Sequence, residues 1–135
     1  MEKKDILKRG EDESRLRDIS KIHTNSIQNV PTPFELCDRL LDDIILYSGD
    51  TLDNKRILVK YNLEMIYVLR ERIGSEALYN NVFFLTFCEK KKAVAKAIGI
   101  SENNILFYVY KDIKTIDKIN IMIKPDVLIT NSPYD

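Results

Sequence analysis

The sequence predicts a doubly wound α/β fold: a mainly parallel sheet of about four strands, Rossmann-like, with helices on both faces. Three observations carry that expectation. Four short runs, 57–59, 82–87, 105–110 and 127–130, are dominated by Ile, Leu, Val and Phe, the composition of strands covered on both sides. Helix-length segments stand between them, and in 63–73 and 89–98 the apolar residues recur at steps of three and four. Strands that alternate with helices pair in parallel through right-handed crossovers. A sheet of this kind takes ligands outside the carboxyl ends of its strands. The residues expected there are Lys60, Tyr61 and Asn62, then Cys88 and Glu89, Lys111 and Asp112, and 131–135.

Length and composition set the bounds. The chain has 135 residues, of which 44% are hydrophobic, enough for one domain with a core of its own. Twenty-one basic and 21 acidic residues cancel, so nucleic acid would have to be held by a local patch and not by a global field. Two cysteines without Cys-x-x-Cys spacing and a single histidine, His23, give no zinc pattern, and no metal is expected. The first 14 residues are charged and no run reaches the roughly 18 apolar residues of a membrane span. A cytoplasmic setting without a membrane is the resulting expectation, with Cys37 and Cys88 as small buried hydrophobes.

Taken in order, residues 1–29 form a charged leader, partly helical, and 30–135 the α/β domain. In the leader Leu16, Ile19 and Ile22 predict a short helix over 12–23, with His23 at its end. Thr32 then has the character of an N-cap, Pro33 of a first helical residue, and Glu35 stands three residues after the cap. In the helix predicted over 33–47 the apolar Phe34, Leu36, Cys37, Leu40, Leu41, Ile44 and Ile45 recur at steps of three and four, with Glu35, Asp38, Arg39, Asp42 and Asp43 on the other side. Ser48, Gly49 and Asp50 stop it before the first strand. Gly74 and Gly99 close the helices at 63–73 and 89–98. Lys90, Lys91, Lys92 and Lys96 read as the solvated face of the latter helix in preference to a nucleic-acid patch. A short helix or a loop over 112–120 leads to Pro125, Asp126 and the last strand.

Asn131, Ser132, Pro133 and Tyr134 follow that strand and resemble the Asn-Pro-Pro-Tyr signature of amino-methyltransferases. With Thr32 and Pro33 opening a helix before the first strand and Asp112 after the third, residues 30–135 resemble the N-terminal half of the S-adenosylmethionine-dependent, adenine-specific DNA methyltransferases of restriction-modification systems and phages. The resemblance implies methyl transfer to a base amino group. It implies that Thr32 and Pro33 border the methionine end of S-adenosylmethionine, that Glu89 (or its neighbours Cys88 and Thr86) grips the ribose, and that Asp112 meets the adenine. Asn131 and the Ser132 carbonyl would accept hydrogen bonds from a flipped base, Pro133 would hold Ser132 extended, and Tyr134 would stack on the base.

The sequence departs from the family where a glycine-rich turn should follow the first strand. It has Val59, Lys60, Tyr61, Asn62, Leu63 and Glu64 there, and side chains would occupy the cofactor's space. Weak or absent binding of S-adenosylmethionine is expected in consequence. The family's sheet also continues past the terminal motif, so the expectation is a domain incomplete or inactive alone. DNA is the implied partner, together with a completing chain or self-association at the open sheet edge. The alternative is a non-catalytic module that binds protein or nucleic acid and modulates restriction-modification.

Overall fold

The computed structural model describes residues 3–22, 32–108, 118–119 and 121–130. Two helices come first, α1 (Lys3–Ile22) and α2 (Phe34–Ser48), followed by β1 (Ile57–Lys60), α3 (Leu63–Ile73), α4 (Ser75–Asn81) and β2 (Val82–Thr86). Then come α5 (Glu89–Ile98), a 3-10 turn (Glu102–Asn104), β3 (Ile105–Phe107) and β4 (Val127–Thr130). The four strands form one parallel sheet in the order β3-β2-β1-β4. The predicted doubly wound architecture is therefore the observed one.

Register explains the two cores. Ile57 lies beside Val82 and Val127, and Val59 beside Phe84 and Ile129. With side chains alternating along a strand, these residues face one side, where α2, α3 and α5 cover them in the main core with Phe34, Cys37, Leu41, Ile66, Leu69 and Ala95. Leu58 and Leu85 face the other side and are covered by Ile119 and Ile123, from residues 118–119 and 121–123, which are helical. The continuous apolar runs arise because β1 is enclosed on both faces, and all four of its residues are buried.

The helix ends follow local chemistry. Asn62 caps α3, its Oδ1 accepting from Met65 N at 3.2 Å, and Cys88 caps α5, its Sγ accepting from Lys91 N at 3.4 Å. Gly49, at φ 69°, ends α2 in the left-handed region that glycine enters without steric cost. The cap expected from Thr32 is not the one found: Pro33 is the N-cap residue of α2 and supplies no side-chain bond. Glu13 of α1 supplies it instead, its Oε1 accepting from Phe34 N at 3.1 Å.

Helix α1 is longer than the predicted 12–23 because it docks by polar contacts that apolar periodicity does not register. Arg9 Nη2 reaches Asp38 Oδ2 at 2.6 Å, and its Nε lies 3.1 Å from Glu71 Oε1. The Tyr67 hydroxyl donates to Asp12 Oδ2 at 2.5 Å. Tyr67 also stacks on Phe34, ring centroids 4.7 Å apart, a contact worth roughly 0.5–1.5 kcal/mol beyond its burial. Helix α4 was not foreseen either. Its seven residues bury Leu78 alone, too little periodicity to stand out.

Candidate functional site

Buried polar residues are rare unless partnered, and here their placement is uneven. Among the described residues the buried polar or charged ones are Lys60, Asn62, Glu64, Thr86, Lys91 and Ser101. All but Ser101 belong to the carboxyl ends of β1 and β2 or to the first turns of the helices that follow them. An open α/β sheet takes its ligand outside the carboxyl ends of its strands. The strand order reverses between β1 and β4, and Lys60 of β1 is paired there with Thr130 of β4.

Tyr61 joins β1 to α3 with φ at 75°, a conformation that costs a non-glycine residue about 1–3 kcal/mol and persists only where its surroundings fix it. Three contacts do so. Its N–H donates to Leu85 O at 2.9 Å, extending the β1–β2 ladder by one residue. Its carbonyl accepts from Lys91 Nζ at 3.1 Å. Its ring stacks on Phe87 with centroids 5.0 Å apart. On β2, the Thr86 hydroxyl accepts from Cys88 N at 3.1 Å and turns the chain into α5.

Lys91 is 4% exposed and Glu64 2%. Burial lowers the Lys91 pKa from its ordinary value, and the negative charge of Glu64 works against that shift. The same carboxylate helps to raise Cys37 of α2, whose thiol is pushed up to about 12, chiefly by burial. Cys37 is therefore inert, and Cys88 is occupied as a helix cap. Both are buried hydrophobes, as expected of them.

The residues singled out from sequence fall as follows. Thr32 and Pro33 open α2, whose first turn lies against α3 through the Phe34–Tyr67 stack. Glu89 opens α5 on the exposed surface. Asp112 and the Asn131, Ser132, Pro133 and Tyr134 motif lie outside the described residues. The four lysines of α5 do not share one solvated face. Lys90 is exposed, Lys92 lies over the Phe107 ring, Lys96 pairs with Glu102, and Lys91 is buried. The signal for Lys91 was present in the spacing: it precedes Ala95 by four residues and stands in register with Val94 and Ile98 on the inward face. Glu64 gave no such signal, since it follows Leu63 in an unbroken buried stretch up to Leu69.

Among the described residues no three His, Cys, Asp or Glu side chains gather as a metal site needs. No helix among them is long and apolar enough to cross a membrane.

No protein-family model matches the chain, and no solved structure matches it. Among curated proteins it is 29% identical over 94 residues to the bifunctional chorismate mutase/prephenate dehydratase of Buchnera aphidicola subsp. Schizaphis graminum (strain Sg). The match takes in 64% of this chain and 24% of that enzyme, so the chain spans well under half the length of its relative. This similarity overturns the methyltransferase resemblance, along with the DNA-methylation, phage and restriction-modification setting it implied for both the enzyme and the non-catalytic alternative. The physical reason lies in the motifs. Asn, Ser and Pro are ordinary turn residues after a strand, Thr-Pro is an ordinary helix start, and a doubly wound order of elements is shared by many unrelated functions.

Proposed function

We propose that this chain is a small-molecule-binding α/β domain whose ligand is a carboxylate-bearing anion, held at the carboxyl ends of β1 and β2. One observation carries the reading: the buried polar residues gather at that end of the sheet, two lysines among them. Lys60 and Lys91 bring two positive charges to that end of the sheet, the charge an anionic ligand needs. Lys91 is fixed by the Tyr61 carbonyl and offers its remaining N–H groups to an incoming carboxylate. The stacked rings of Tyr61 and Phe87 form a wall for the apolar part of the ligand. The chemistry is one of capture: Cys88 and Asn62 are engaged as helix caps, and neither is poised as a nucleophile or base.

The relative's printed name supports the ligand class. Chorismate and prephenate are small carboxylates, and the matched protein acts on both. Calorimetry with prephenate, chorismate, citrate, inorganic phosphate and S-adenosylmethionine tests the reading. The carboxylates are expected to bind, and Lys91→Met is expected to weaken them at least about tenfold. If the whole panel fails to bind at millimolar concentration, or Lys91→Met binds as the parent does, the proposal falls.

A further inference from the structure

Helix α2 buries Phe34, Cys37 and Leu41 yet leaves Leu36 54% exposed, Leu40 41% and Tyr47 87%. These three, with Asp43, stand four, three and four residues apart, the spacing of a seam that packs against another helix. The seam's place in the fold is defined on both flanks. Arg72 of α3 pairs with Asp38 and Asp42 on one side. On the other, Ile44 of α2 and Val127 of β4 line the same shallow cavity. The seam therefore faces away from α3, on the side of the sheet where β4 stands at the edge with no further strand among the described residues.

We infer that this face is a homodimer interface in which α2 packs antiparallel against α2 of a second copy about a two-fold axis. The polar member of the seam selects that occupant. In the antiparallel register Leu36 falls opposite Tyr47 of the copy, and Leu40 opposite Asp43. Arg39, one residue from Leu40, then stands beside the copy's Asp43. The symmetry makes the pair twice, so each carboxylate in the seam meets a guanidinium. Neither Arg39 nor Asp43 is engaged by an ion pair within the described chain. A formal net charge of zero adds no long-range repulsion between copies. A single polar residue in such a seam fixes register and orientation, so the interface is isologous and closes at two chains.

Sedimentation equilibrium and light scattering across micromolar concentrations test the inference. The parent chain is expected to be a dimer, and Leu40→Glu a monomer that retains the parent's far-ultraviolet dichroism. Asp43→Arg sets two arginines together and should weaken the dimer by about tenfold or more. Adding Arg39→Asp to it re-forms the pair in reverse and should restore the dimer. A monomeric parent overturns the inference. So does a dimer that ignores Leu40→Glu, or one that the reversed pair fails to rescue.

Discussion

Replacing Lys91 by Met keeps the aliphatic stem and removes the amine, and the structure fixes what is lost. The Tyr61 carbonyl, held at a left-handed φ, forfeits its donor at 3.1 Å, and Glu64, 2% exposed, loses the cation in its field. A hydrogen bond to a charged donor contributes roughly 1.5–3 kcal/mol, and the attraction between the Lys91 ammonium and the Glu64 carboxylate is lost with it. Removal of the buried amine returns part of its desolvation, leaving a net loss of about 2–4 kcal/mol. At roughly 4 °C per kcal/mol for a chain of this size, Tm falls by about 8–16 °C. Adding Glu64→Gln removes the carboxylate that attracts Lys91 and should recover at least about 1 kcal/mol as a coupling energy. The pH dependence is a second readout. Below its folded pKa the Lys91 amine is charged in both states and the penalty of burying it is present in full. As pH rises from that value to 10.5, the native state gives up the proton before the unfolded chain does, and stability increases. The difference between parent and Lys91→Met in urea-unfolding free energy should therefore change across that alkaline window. A variant that melts with the parent and shows the same alkaline slope would refute the reasoning.

Other consequences are as direct. Glu13→Ala removes the cap that α1 supplies to α2 and should cost about 1 kcal/mol in urea unfolding, whereas Glu13→Gln keeps a carbonyl acceptor and should lose less than half of that. Burial and the bond to Asp12 push the Tyr67 hydroxyl up to about 12 from 10.0, so the unfolded chain ionises first. The Tyr67 contribution is full below pH 10 and lost by pH 12, and Tyr67→Phe should abolish that part of the alkaline decline when the two chains are titrated in parallel. Cys37, fully buried and with its thiol at about 12, should resist iodoacetamide in the native state. Its labelling rate should rise only with denaturant, and rapid labelling in buffer would contradict the packing of α2.

The sheet was legible because β1 and β2 are apolar over nearly their whole length and the glycines at 74 and 99 close the helices that follow Tyr61 and Cys88. The helix 63–73, the helix 89–98 and the strand 127–130 have the bounds the pattern predicts. What escaped the sequence was cooperative. Arg9, Asp12 and Glu13 read as an ordinary charged leader, because nothing local marks the residues 21 to 62 positions away that they meet. Lys91 was placed in solvent because lysine usually is, although its spacing from Ala95 put it on the inward face. The site reading failed for a different reason. Asn, Ser and Pro after a strand look the same in sequence whether they hold a base or merely form a turn, and only the wider similarity of the chain separates these cases. The buried Glu64–Lys91 neighbourhood depends on how two helix starts are brought together by β1 and β2, which no single stretch encodes.

The strand order carries a consequence for the time course of folding. β1, the first strand among the described residues, is central, and one of its two neighbours, β4, begins 70 residues after β1 does. The contact that seats this pair, Arg56 N on Asp126 Oδ2 at 2.9 Å, spans the same interval. A ribosome making this protein would release β1, α3, β2 and α5 well before the strand that closes β1's second edge, and that edge stays bare until β4 has been made. Parallel pairing at such separation is slow because loop closure precedes any gain from contact. An unpaired apolar strand is also a template for other chains. Refolding should thus have a late, concentration-sensitive phase in which protection of the β1 amides from hydrogen exchange appears together with that of β4, after the β1–β2 amides are already protected.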